Sequence, residues 1–150
     1  MMIWSDEITT RAAEIHARTE RTLRAAGVPG ELEWTGASSV PGTLTKGDVD
    51  LHLRVPAELF GATVEQLKGL LPVAVPSAWA PTLAVFDVPD QELPTGLAVT
   101  PAGSEHDRRF TLAWQRIAAE PELHRRYNEL KREPGHEDRK SGFFSELTGT

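Results

Sequence analysis

The alternation of apolar and polar positions divides the chain into helical and extended stretches with clear stops between them. Ile8, Ala12, Ile15, Thr19, Thr22, Leu23 and Ala26 recur at helical spacing, which predicts a helix over residues 5 to 26. Ser5 suits its N-cap, Asp6 and Glu7 the positive end of its dipole, and Gly27 with Pro29 its stop. Arg11, Arg18, Arg21 and Arg24 with Glu14 and Glu20 read as a solvated face, and His16 as a surface histidine. Residues 31 to 36 read as a first strand. Residues 48 to 55 form a second, with Val49, Leu51, Leu53 and Val55 on one face. Asp48, Asp50, His52 and Arg54 share the other face, because successive strand side chains point to opposite sides.

Pro56 closes that strand. Residues 57 to 71 then read as a helix with Leu59, Phe60, Val64, Leu67, Leu70 and Leu71 on its apolar side. Gly61 weakens its first half by about 1 kcal/mol relative to alanine, so the regular helix is expected from Thr63. A proline-rich connection over residues 72 to 81 leads to strands at 82 to 88 and 95 to 100, joined by a link short enough for a hairpin. Ser104 caps a helix through Glu120, with Phe110, Leu112, Ala113, Ile117 and Ala118 inward, and Pro121 opens another to about Arg132. Phe143 and Phe144 anchor a last helix. This order predicts an α+β fold: a small mixed sheet with flanking helices and a helical C-terminal part.

Composition narrows the classes. A chain of 150 residues with ordinary apolar and charged fractions is most simply one domain with a core. No apolar run approaches the ~18 residues that span a bilayer, so no membrane role is expected. There are no cysteines, which excludes disulfides and thiolate metal sites and fits a reducing cytoplasm. A net charge of −6 argues against broad nucleic-acid binding, which depends on neutralising phosphates with lysine and arginine.

The chemistry concentrates in residues 34 to 55. Two carboxylates on one strand face, Asp48 and Asp50, repel unless a cation or proton sits between them. A hard divalent ion meets that need, and magnesium commonly takes one or two carboxylates plus substrate phosphates. The small-residue stretch before them, with Gly36, Ser38, Ser39 and the Val40-Pro41-Gly42 turn, offers backbone N–H groups and hydroxyls to a phosphate. Lys46 either reaches a phosphate as a point charge or offsets the acidic pair. His52 either extends the ligand set or stands as an exposed partner of a carboxylate.

Gly36-Ala37-Ser38-Ser39-Val40-Pro41-Gly42, then Lys46, then Asp48-Val49-Asp50-Leu51 resembles the motif of the GrpB-like family of the nucleotidyltransferase superfamily. The likeness continues through Arg108-Arg109-Phe110, Pro121-Glu122-Leu123, Tyr127, Leu130-Lys131 and Lys140-Ser141-Gly142-Phe143-Phe144. It implies a nucleotidyltransferase fold and an enzyme that moves a nucleotidyl group from a nucleoside triphosphate to an unknown acceptor. By that resemblance Asp48 and Asp50 are catalytic and hold magnesium (or manganese). Gly36, Ser38, Ser39, Lys46, Tyr127 and Lys131 then contact the nucleotide's phosphates.

Two departures bear on the activity. Gly36 is followed by Ala37 where the broader superfamily has serine, so a phosphate hydroxyl must come from Ser38 or Ser39. The later strand, which supplies a third acid in nucleotidyltransferases and histidines in the GrpB-like pattern, reads Leu97-Ala98-Val99-Thr100 here. Asp87 is the nearby substitute as a metal ligand. Nine of the sixteen lysines and arginines lie in residues 108 to 140, so Arg108, Arg109, Arg125, Arg126 and Lys131 are candidates to gather over the carboxylates. Two alternatives stand beside the enzyme: a nucleotide- or phosphometabolite-binding module without turnover, and a protein-interaction partner.

Overall fold

The computed structural model describes residues 2–133 and 136–149. Strands β2 (Glu31–Thr35), β4 (Val49–Val55), β5 (Ala84–Asp87) and β6 (Thr95–Pro101) form one sheet in the order β2-β4-β6-β5. β4 runs antiparallel to β2 and parallel to β6, and β5 and β6 make the expected antiparallel hairpin. Two short strands, β1 (Ile3–Trp4) and β3 (Leu44–Thr45), pair with each other. At two residues each they are too short for an alternation signal.

The apolar face of β4 is as the pattern predicts. Val49, Leu51, Leu53 and Val55 are all buried, under helices α1 (Thr9–Ala25) and α2 (Phe60–Lys68). α1 contributes Ala12, Ile15 and Leu23 to that core, whereas Thr22 and Ala26 face solvent. His16 is half-buried and lies 2.9 Å from the Leu32 carbonyl oxygen, so it tends the β2 edge. α2 begins at Phe60, not Thr63, since a preceding 3-10 turn (Ala57–Leu59) carries the chain into it and Gly61 is tolerated. Its inner side is Thr63, Val64 and Leu67, while Leu59 and Leu70 are exposed.

The C-terminal helices α3 (Glu105–Ala119), α4 (Pro121–Lys131) and α5 (His136–Thr148) build a second core. Ala113, Trp114, Ile117, Leu123, Tyr127, Phe143, Phe144 and Leu147 meet Ala37 and Val40 there. Ser104 caps α3 as predicted, accepting from the Asp107 N–H at 3.2 Å. Trp114 takes the inward place assigned to Leu112 and Ala118, which face solvent. Among the described residues no helix is long and apolar enough to cross a membrane.

Ser5 does not cap α1. It is fully buried, and its hydroxyl donates to the Val40 carbonyl at 2.6 Å and accepts from Thr43 N–H at 3.2 Å. Asp6 accepts from Gly42 N–H at 2.6 Å. From the other side Asn128 accepts from Leu44 N–H and donates to the Gly42 carbonyl, and His124 lies 2.9 Å from that same oxygen. The 40–44 loop is thus gripped by the N-terminus and by α4, and its backbone groups are spent on the fold.

An ion pair ties α3 to the sheet. The Arg54 guanidinium donates to both Asp107 oxygens, at 2.7 and 3.0 Å, and Gly103 N–H and Thr111 Oγ1 complete the carboxylate's partners. Burial pushes Asp107 up, but these donors outweigh it and hold the carboxyl below its ordinary range. Asp107→Ala leaves Arg54 without its fork partner beside buried His52, and removing one partner of such a pair is strongly destabilising. The expected loss is about 2 to 4 kcal/mol in urea unfolding at pH 7. A loss below about 1 kcal/mol, the worth of an exposed pair, would remove this tie from the account.

Candidate nucleotide cleft

β4 sets the site. In the sheet, Asp50 is level with Thr35 on β2 and Gly96 on β6, and His52 with Glu33 and Ala98. A cleft of about 200 Å³ is lined by Ala37, Thr45, Lys46, Asp48, Asp50, Tyr127, Lys131 and Lys140. Of the residues singled out from the sequence, the structure therefore gathers Lys46, Asp48, Asp50, Tyr127 and Lys131 at one place.

Gly36 does not line this cleft but lies against Asp50 and lines the adjoining cavity. It has φ +77°, and a Cβ there would stand 2.3 Å from Asp50 Oδ2, so both the left-handed conformation and the close approach require glycine. Asp50 keeps accessible surface at the mouth, yet protein atoms crowd its carboxylate; accessible area therefore understates its distance from bulk water. That burial first, and the Asp48 charge second, push its pKa up to about 6, while Lys140 and Lys131 oppose the shift. Tyr127 is fully buried, edge-on to Trp114, with the Lys131 ammonium 5.9 Å from its ring centre.

Several expected contacts fall elsewhere. The Ser38 hydroxyl accepts from Trp34 Nε1 at 3.0 Å and Ser39 Oγ donates to the Gly36 carbonyl at 2.7 Å. Both close the turn after β2, and neither lines the cleft. The cleft's hydroxyl-bearing residues are Thr45, whose Oγ1 accepts from Gly47 N–H at 3.1 Å, and Tyr127. Asp87 is on the Asp50 face, but Gly96 on β6 separates them in register. Two strand spacings, roughly 9 to 10 Å, keep it out of reach of a shared ion. Among the described residues no three histidine, aspartate or glutamate side chains are grouped to hold a metal.

The arginines also disperse. Arg125 pairs with Glu122 and Glu129, Arg126 with Glu146, and Arg109 with Ser141 and Ser145, while Arg108 lies on the exposed side of α3. Lys140 is the cleft cation that charge counting did not single out; its ammonium lies 5.6 Å from the Phe144 ring centre. The signal was its place four residues before that aromatic on one helix.

His52 is a buried residue, not an exposed one. Its Nε2 lies 2.8 Å from Thr100 Oγ1 and 3.7 Å from Asp107 Oδ1, and its ring meets Phe110 edge-on. Burial pushes its pKa down to about 4 against the pull of Asp107, with Arg54 adding to the fall.

Fold and site together define an α+β protein with an acidic pair, Asp48 and Asp50, where its central strand β4 begins. No family description matches the sequence, and no curated protein does. Among solved structures, the conserved protein GrpB from Enterococcus faecalis is similar with a TM-score of 0.73, over 99% of this chain and 95% of that one. The two are 11% identical in sequence, and the likeness establishes a GrpB-like fold.

Asp50 and His52 give stability opposite pH slopes. His52 takes its proton near 6.5 when unfolded and near 4 when folded, so acidification between those values destabilises. Asp50 titrates at 3.8 unfolded and about 6 folded, so acidification between those values stabilises. Asp50→Asn is therefore expected to be more stable than wild type at pH 8 without ligand. It should also lose stability more steeply between pH 6.5 and 4. Urea midpoints across that range test this, and parallel curves for the two proteins would refute the Asp50 shift.

Proposed function

We propose that the cleft binds a nucleoside triphosphate with magnesium or manganese, and that the protein transfers the nucleotidyl group to an acceptor hydroxyl or amine. The observation that carries this reading is the convergence of the Asp48–Asp50 pair with Lys46, Lys131 and Lys140 on one cleft. Lysines alone would suit any anion. Lysines facing two adjoining carboxylates suit an anion that brings a cation with it.

The donor set fits one hard divalent ion: two carboxylates and the Thr45 hydroxyl, all oxygen, with the remaining positions left to water and phosphate. Bound there, the ion would neutralise phosphate charge and relieve the repulsion that raises Asp50. The chain's own part is positional. Gly36 lets the backbone close on Asp50, and the three ammonium groups hold the triphosphate against the acidic pair. The acceptor then attacks the α-phosphorus, the bond to the bridging oxygen breaks, and pyrophosphate leaves. The acceptor's proton passes to solvent, since no third carboxylate is grouped with the pair among the described residues. A cytoplasmic location, in keeping with a chain free of cysteine, is part of the proposal.

One observation favours a second reading, a nucleotide- or phosphometabolite-binding module without turnover. Asp87, the candidate third acid, stands two strands from Asp50 with only Gly96 between.

A thermal-shift series of nucleoside triphosphates with magnesium or manganese tests the site. Saturation at 100 times the dissociation constant stabilises by about 2.7 kcal/mol, and Asp50→Asn is expected to lose that gain. A shift independent of metal, or kept by Asp50→Asn, would count against both readings. Release of pyrophosphate by wild type alone separates transfer from binding.

A further inference from the structure

A second cavity, of about 420 Å³, adjoins the first and shares Asp50 and Lys140 with it. Its floor is the sheet itself, where Val85, Gly96 and Ala98 lie half-buried. Its walls come from the C-terminal helices and include Phe110, Trp114 and Phe144. Leu97 and Val99 of the same strand are fully buried on the opposite face, so only one face of β6 has been stripped to small residues.

Gly96 is the telling position. A glycine inside a central strand weakens it and commonly marks a close approach by another group. Its φ lies outside the left-handed region, and a Cβ there would meet nothing nearer than the Phe86 carbonyl oxygen at 4.0 Å. Neither backbone conformation nor packing accounts for the missing side chain. The residue is level with Asp50, and Ala98 is level with His52, so the bare floor begins beside the acidic pair and runs roughly 7 Å along β6.

Resting on the nucleotide reading above, we infer that this slot takes the base of the nucleoside triphosphate, a flat ring lying between the floor of Gly96 and Ala98 and the aromatic wall. An apolar slot with a few polar groups at its edge suits a ring held by its faces. The polar groups in reach beyond Asp50 and Lys140 are few, chiefly the Thr35 and Ser141 side chains and His52. The slot therefore recognises ring shape more than the pattern of donors and acceptors on one base. Gly96 and Ala98 set its depth.

The test compares binding of magnesium–ATP and magnesium–tripolyphosphate by titration calorimetry, on wild type, Gly96→Val and Ala98→Leu. Base–aromatic stacking predicts that wild type binds ATP at least about tenfold tighter than tripolyphosphate. Each variant should erase that advantage and leave tripolyphosphate affinity unchanged. Valine suits a strand better than glycine, so the melting temperature of Gly96→Val should hold or rise, which separates a filled slot from a damaged fold. Equal affinity of wild type for the two ligands, or variants that keep the preference for ATP, would overturn the inference and leave the phosphate site standing. Failure of wild type to bind either ligand would overturn the phosphate site and the slot's assignment with it.

Discussion

Strand β4 is covered on both faces, and only one of those faces is apolar. Burying polar and charged side chains is costly unless each finds a partner, so Asp50, His52 and Arg54 each need an answer. Arg54 meets Asp107 across a two-pronged ion pair that fastens α3. His52 gives up its charge and settles beside Thr100. Among the described residues Asp50 has no comparable hydrogen-bonded partner. Burial first and the neighbouring Asp48 charge second hold its pKa up at about 6, against the pull of Lys140 and Lys131. Two of the three positions are thus solved by the protein, and the third, Asp50, keeps a raised pKa.

The two halves of the chain contribute differently to the cleft and its surroundings. The sheet supplies the carboxylates, the Gly36 turn and the flat floor on β6. The helices supply Lys131, Lys140 and the aromatic wall, and α4 fixes the 40–44 loop through His124 and Asn128. The cleft is therefore assembled only when the helical part docks on the polar face of the sheet. The Arg54–Asp107 pair lies one pleat beyond His52 on that face, which makes it structural support for the cleft without touching it.

The strands, their hairpin and the aspartate pair were legible because period-2 alternation and proline and glycine stops are local signals. The uses of the serines were not. Ser38 and Ser39 look like phosphate ligands in a small-residue loop, yet their partners are Trp34 and a carbonyl three residues back. Ser5 looked like a cap and is a long-range tie to Val40 and Thr43. A hydroxyl is neutral and versatile, and its partner depends on which element comes near. Asp87 shows the same limit in a sheet: alternation within its own strand says nothing of strand order, which puts β6 between it and Asp50. Lys140 escaped for the opposite reason, since its role depends on where a helix distant in sequence returns.

Two glycines flank Asp50 on the neighbouring strands, and they are bare for different reasons. Gly36 follows the residue level with Asp50 on β2; its φ is positive and the carboxylate sits where its Cβ would be. That glycine belongs to the protein's own packing, and any protein holding an aspartate so close to a turn would need it. Gly96, level with Asp50 on β6, has ordinary backbone and open space above it. Selection for stability alone would favour a β-branched residue in the middle of such a strand. One glycine therefore lets the carboxylate sit against a turn, and the other leaves clear the space beside it.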